Sequence, residues 1–237
     1  YDIRGVVDKN ITENTAYTIG RVFGYVVFEK IKSNNICLGY DGRLTSPKLF
    51  KALSYGLRDS GASVINIGIC PTPMLYFADY YLNADAAIMI TGSHNPSEYN
   101  GFKMVLNKHS FFSKNIQNFQ HIVSNNKLVK KDGKINNIEI TEPYVDRLLK
   151  NIVMKKKLKI CWDIGNGAMG VIIDKLISKL QNTENILINK EVDGTFPNHH
   201  PDPTVPKNMV QLIKSVKENN CDIGLAFDGD GDRLGVV

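Results

Sequence analysis

Short apolar runs alternate with amphipathic stretches along this chain. Residues 36–41 form an apolar run closed by Asp-Gly, and a helical pattern follows from Ser46 to about Ser60. Ser46-Pro47 reads as an N-cap followed by proline at the first helical position, with Gly61 as the stop. Residues 64–67 are the next strand, and Pro71-Thr72-Pro73 interrupts the chain before an amphipathic stretch over 74–82. Residues 85–91 contain Ala86-Ala87-Ile88-Met89-Ile90, the unbroken apolar run of a strand covered on both faces.

The second half repeats the rhythm. Helical patterns span 144–153, 170–180 and 207–219, and strand patterns span 158–164, 186–189 and 222–227. Alternating strands and helices predict an α/β protein of two consecutive domains, 1–138 and 139–237, each a mixed, mostly parallel sheet flanked by helices. Ligand sites in such sheets lie beyond the carboxyl ends of the strands. The loops 92–101, 165–170 and 228–233 fall there.

Charge and composition narrow the choice. Lys+Arg 29 against Asp+Glu 24 leaves a formal charge of +5. Such an excess favours an anionic metabolite. It is too diffuse for nucleic acid, and its only dense run, Lys155-Lys156-Lys157, reads as a solvated hinge or helix end. The four cysteines are widely spaced, as expected of buried thiols in a reducing compartment rather than of disulfides or zinc. No apolar stretch approaches a membrane span, so the expected location is cytoplasmic, without a membrane partner. The chain opens on Tyr1 and stops within a strand-like run at 234–237, so a piece of a longer protein is expected.

Two loops carry chemistry. Thr91-Gly92-Ser93-His94-Asn95-Pro96 follows the apolar strand directly, and a turn there would leave Ser93 with an exposed hydroxyl. It is not the G-x-S-x-G elbow of a serine hydrolase, and a histidine directly after the serine is not expected to turn back as its base. Asp228-Gly229-Asp230-Gly231-Asp232-Arg233 places three carboxylates at alternate positions, able to curl around one hard cation. An EF-hand needs glycine at its sixth position, where this loop has Arg233.

Two further motifs leave alternatives open. Gly165-Asn166-Gly167-Ala168-Met169-Gly170 satisfies G-x-G-x-x-G, with Glu191 closing the next strand, so a nicotinamide-dependent oxidoreductase stands as an alternative to glycines that only turn strand into helix. His199-His200 lies on a proline-bounded loop with no third soft ligand nearby, and reads as an ordered loop rather than a transition-metal site.

Together these motifs resemble the α-D-phosphohexomutases, and among them the bacterial phosphomannomutase/phosphoglucomutase branch. Tyr1-Asp2-Ile3-Arg4-Gly5 matches the family's opening, residues 91–103 (TGSHNPSEYNGFK) its serine loop, 228–233 (DGDGDR) its metal loop, and 191–203 (EVDGTFPNHHPDP) a second-domain signature. Phosphoglucosamine mutases usually carry alanine in place of Gly92 and open differently. The resemblance implies a phosphoserine at Ser93 that exchanges phosphate with hexose phosphates through a bisphosphate. It implies Mg²⁺ held by Asp228, Asp230, Asp232 and an oxygen on Ser93. Arg4 and Lys103 would stand at the reacting group, with His94 either hydrogen-bonding the phosphate there or only packing the loop, and Tyr1 and Arg233 at the substrate. Glucose 1,6-bisphosphate or mannose 1,6-bisphosphate would be the activator, and the protein a monomer or weak dimer. The family's third and fourth domains have no counterpart in this chain. An isolated fragment is expected to be inactive, and a non-catalytic Mg²⁺- or phosphosugar-binding module is the further alternative.

Overall fold

The computed structural model describes residues 3–125 and 128–237. The first sheet runs β1 (Ile3–Val6), β5 (Tyr99–Leu106), β4 (Ala86–Ile90), β2 (Asn35–Tyr40), β3 (Ser63–Ile69), β7 (Lys134–Asn137), with β6 (His109–Phe111) hairpinned onto β5. The second runs β11 (Leu234–Val236), β10 (Ile223–Phe227), β8 (Leu158–Asp163), β9 (Thr183–Ile188). Five of these nine pairings are parallel; the antiparallel ones involve β5 and β11. The expected mixed, mostly parallel α/β architecture is what forms.

The apolar run of β4 shows why. Ala86, Ile88 and Ile90 point to one face, against α1 (Glu13–Ile31), α2 (Ser46–Asp59) and α4 (Lys114–Ser124). Ala87 and Met89 point to the other face, towards α3 (Thr72–Tyr81). A strand whose two faces are both buried needs no polar alternation. This second apolar layer continues through α5 (Thr141–Leu149) and α6 (Ile173–Lys179) to Ile160 and Trp162 of β8, so one core joins the two sheets. On the far face of the second sheet, α7 (Val210–Glu218) brings Leu212 against Cys161 and Ala226.

Several predicted boundaries move for physical reasons. Thr45, not Ser46, is the N-cap of α2, because the Ser46 hydroxyl donates to Asp41 instead. Pro73 does not delay α3, which starts at Thr72; in a first turn the missing N–H costs no bond. The helices expected over 170–180 and 207–219 each open as a 3₁₀ turn, Ala168–Val171 and Pro206–Met209, before α6 and α7. Strand β1, helices α1 and α4 and the β5–β7 strands are additions to the sequence reading.

Three cysteines are buried and all four are free thiols. The lysine run 155–157 is exposed in the connection between α5 and β8. Among the described residues no helix is long and apolar enough to cross a membrane.

Candidate active site

The serine loop leaves the carboxyl end of β4, and the aspartate loop leaves the carboxyl end of β10. They meet between the sheets. Ser93 Oγ donates to Asp228 Oδ2 at 3.0 Å, and Ser93 is only 3% exposed. The hydroxyl is therefore buried against a carboxylate, not exposed as the loop alone suggested. Ser93 adopts a left-handed backbone, φ 50°, and the histidine after it does return to the hydroxyl: His94 Nδ1 lies 3.3 Å from Oγ. The positive φ at Ser93 is what turns the following ring back, contrary to the expectation from adjacency alone. Burial, then the nearby Arg233 charge, lowers the His94 pKa and favours its neutral form.

The three aspartates converge, with one carboxylate oxygen from each within 4.8 Å of the others. Asp228 organises its own loop by accepting from the Asp232 and Arg233 backbone N–H groups at 3.0 and 3.1 Å. Its second oxygen takes Arg233 Nε at 3.0 Å and Nη2 at 2.8 Å besides Ser93. Burial, then the Asp230 and Asp232 charges, pushes the Asp228 carboxyl up to about 7. Asp230 is fully buried, and its Oδ2 accepts from Thr72 Oγ1 and from Lys103 Nζ at 2.7 Å. Burial raises its pKa, but Lys103 together with hydroxyl hydrogen bonds such as that from Thr72 outweighs burial and holds it below the ordinary value. Lys103 also bridges to Asp232 at 2.8 Å, and these two carboxylates outweigh burial to raise its own pKa.

These residues fit a hard cation. Asp230 Oδ1 is buried with no hydrogen-bond partner among the described residues, an arrangement that normally costs stability unless an ion or water completes it. Three clustered carboxylates repel one another, and only hard oxygen donors are present, the donor set that suits Mg²⁺.

Arg4 stands on β1 opposite Gly101, near enough for its charge to act on both Arg43 and His94. The structure thus gathers Ser93, His94, Arg4, Lys103, Arg233 and the three aspartates. Tyr1 lies outside the described residues.

Both motifs with open alternatives have structural occupations. A Cβ on Gly167 would meet the Gly229 carbonyl oxygen at 2.8 Å, so the G-x-G-x-x-G turn is packed against the aspartate loop's backbone. His199 Nε2 lies 2.9 Å from buried Asp163 and Nδ1 lies 3.0 Å from the His200 carbonyl, so the ring pins loop 199–202 to the end of β8.

Profiles described as phosphoglucomutase/phosphomannomutase, alpha/beta/alpha domains I and II, match residues 1–129 and 142–237.

The chain belongs to the phosphoglucomutase/phosphomannomutase family.

A phosphomannomutase/phosphoglucomutase from Pseudomonas syringae is 46% identical over 100% of this chain and 50% of its own length. A phosphoglucomutase from Neisseria meningitidis serogroup A is 45% identical over 100% of this chain and 52% of its own. The crystal structure of a phosphoglucomutase/phosphomannomutase family protein from Burkholderia thailandensis superposes with a TM-score of 0.94 at 39% identity, covering 100% of this chain and 53% of that one. The chain thus spans about half the length of the family relatives it matches.

Sequence reasoning missed Asp41, Arg43, Thr72 and Phe196. Asp41-Gly42-Arg43 does stand just past the end of β2, beside the serine loop, and that shared sheet end is the signal that would have found it.

Proposed function

We propose that this chain carries the phosphoryl-transfer centre of a mutase that interconverts the 1- and 6-phosphates of mannose or glucose through a phosphoserine. The contact of Ser93 Oγ with Asp228 carries the reading, since it sets a hydroxyl nucleophile against carboxylates suited to a cation. The names of the relatives support the substrate class.

In this reading Asp228, Asp230, Asp232 and an oxygen on Ser93 hold Mg²⁺. When bound, the ion supplies positive charge beside the phosphoryl oxygens. Ser93 enters the reaction phosphorylated. A sugar hydroxyl attacks phosphorus; its new O–P bond forms as the Oγ–P bond breaks, and the proton lost by the sugar balances the one gained at Oγ. The resulting hexose 1,6-bisphosphate reorients, and Ser93 takes back its other phosphate by the reverse exchange. A bisphosphate of glucose or mannose would likewise prime an unphosphorylated enzyme.

Such transfers depend on alignment and on charge around the moving oxygens more than on covalent help. Lys103 and Arg233 already flank the carboxylates, and Arg4 adds a third cation nearby. Neutral His94 can hydrogen-bond at Oγ while that oxygen leaves or attacks. The test is phosphorus NMR of glucose 1-phosphate incubated with the full natural protein and Mg²⁺. The expected result is steady appearance of glucose 6-phosphate, abolished by Ser93→Ala; an unchanged rate in that variant would refute the proposal.

A further inference from the structure

Arg43 has its guanidinium fully buried, and every N–H donor of the group is used. Nε donates to Asp41 at 3.2 Å. The two terminal nitrogens take the carbonyls of Pro96 and Tyr99 at 2.6 and 3.0 Å, and those of Ser93 and Asn95 at 2.7 Å each. Four carbonyls of the serine loop thus converge on one cation. Asp41 ties the same loop at its start, accepting from Thr91 Oγ1 at 2.7 Å and from the Gly92 N–H at 3.2 Å. A buried charge held by one carboxylate and four carbonyls is a rigid but costly arrangement, and the π face of its guanidinium, which makes no hydrogen bond, must be kept dry.

That face is covered from the other half of the chain. The Phe196 ring lies 5.2 Å from the guanidinium carbon, in the geometry of a cation–π contact. Phe196 is a bulky residue in the left-handed region, φ 53°, held there by its N–H bond to the Asp193 carbonyl at 3.0 Å. Close approach makes this possible: a Cβ on Gly194 would stand 2.6 Å from Arg43 Cα, so only glycine lets the strap lie flat on residues 42–44. The ring also borders Gly229 of the aspartate loop.

We propose that Phe196 and Arg43 form a positioning pair by which the second half of the chain sets the serine loop against the metal-binding carboxylates. Neither residue touches the reacting atoms. The role rests on the mutase reading, but the clamp itself is a physical contact that can be tested without it.

The test compares Phe196→Leu, which keeps apolar volume without a π face, with Phe196→Tyr, which keeps both, in the full natural protein. Amide hydrogen exchange of the peptide 91–99 is the first readout. The second is the rate at which Ser93 gains phosphate from glucose 1,6-bisphosphate with Mg²⁺. Expected in Phe196→Leu is about tenfold faster exchange in that peptide, with the α1 and α2 peptides unchanged. The saturating phosphorylation rate falls by a similar factor at an unchanged half-saturating concentration. Phe196→Tyr stays within twofold of wild type in both. Wild-type exchange in Phe196→Leu, or equal damage in the two variants, overturns the proposal. A wild type that never gains phosphate refutes the mutase reading, while the exchange result still decides the clamp.

Discussion

Asp230 has one carboxylate oxygen held by Thr72 and Lys103 and the other buried without a partner among the described residues. If that second oxygen is a metal ligand, Asp230→Asn removes the charge and leaves one weaker amide oxygen to serve both the cation and the Thr72–Lys103 donors. Mg²⁺ affinity by calorimetry is then expected to fall by at least the ~10–100-fold that outer-sphere changes cost in metal sites. Affinity within twofold of wild type would mean the oxygen serves something else. The aspartates were legible in sequence because their spacing is local: alternation with glycine suffices to bring three carboxylates together. Ser93 was legible as a residue, but its environment was not. Its burial depends on Asp228, 135 positions further on, and its turn towards His94 depends on a positive φ that no neighbouring residue type announces. Arg43 was illegible for a related reason. An arginine after Asp-Gly looks like any loop cation until the fold brings four carbonyls around it.

Among the elements, α1 and α2 lie in very close contact, and this rests on glycine. A Cβ on Gly56 of α2 would stand 2.1 Å from the Tyr17 carbonyl oxygen of α1. Gly56→Ala gains about 1 kcal/mol of helix propensity, yet overpacking typically costs about 1–3 kcal/mol, and a clash between two helix backbones belongs at the upper end of that range. Net destabilisation is therefore expected in urea unfolding, and a more stable variant would show that the helices can separate freely. The loop that ends β8 makes a pH prediction. Both His199 nitrogens face acceptors, an arrangement that only the protonated ring satisfies in full, and the hydrogen bond to Asp163 raises its pKa despite burial. Its stabilisation is complete below the unfolded value of about 6.5 and is lost as pH rises through the raised folded value. His199→Gln should accordingly cost about 1–2 kcal/mol at pH 6 and much less at pH 9. An equal cost at both would contradict the charged ring. At this scale, long periodic segments were readable and their ends were not. Ser46 illustrates the difference: by composition it is a cap, but Asp41 claims its hydroxyl.

For the whole molecule, the alternating rhythm was enough to give two α/β sheets, because each apolar run needs cover on both faces. What the rhythm could not show is that a single apolar layer joins them, with Met89 of β4 and Trp162 of β8 in one cluster. That shared layer is why residues from the two halves meet within hydrogen-bond distance. The charge of the assembled centre follows from the same meeting. With a cation bound to hold all three aspartates ionised, they and Arg4, Lys103 and Arg233 sum to zero, leaving a phosphoserine of about −2 and the divalent cation to balance each other. Mg²⁺ is therefore expected to bind the phosphorylated form more tightly than the free one, and equal affinities by calorimetry would count against this balance. The most direct measurement is an intact mass with peptide mapping, before and after incubation of the full natural protein with Mg²⁺ and glucose 1,6-bisphosphate. One phosphate on Ser93, absent from Ser93→Ala, is the predicted result; a Ser93 that never gains phosphate would contradict the account.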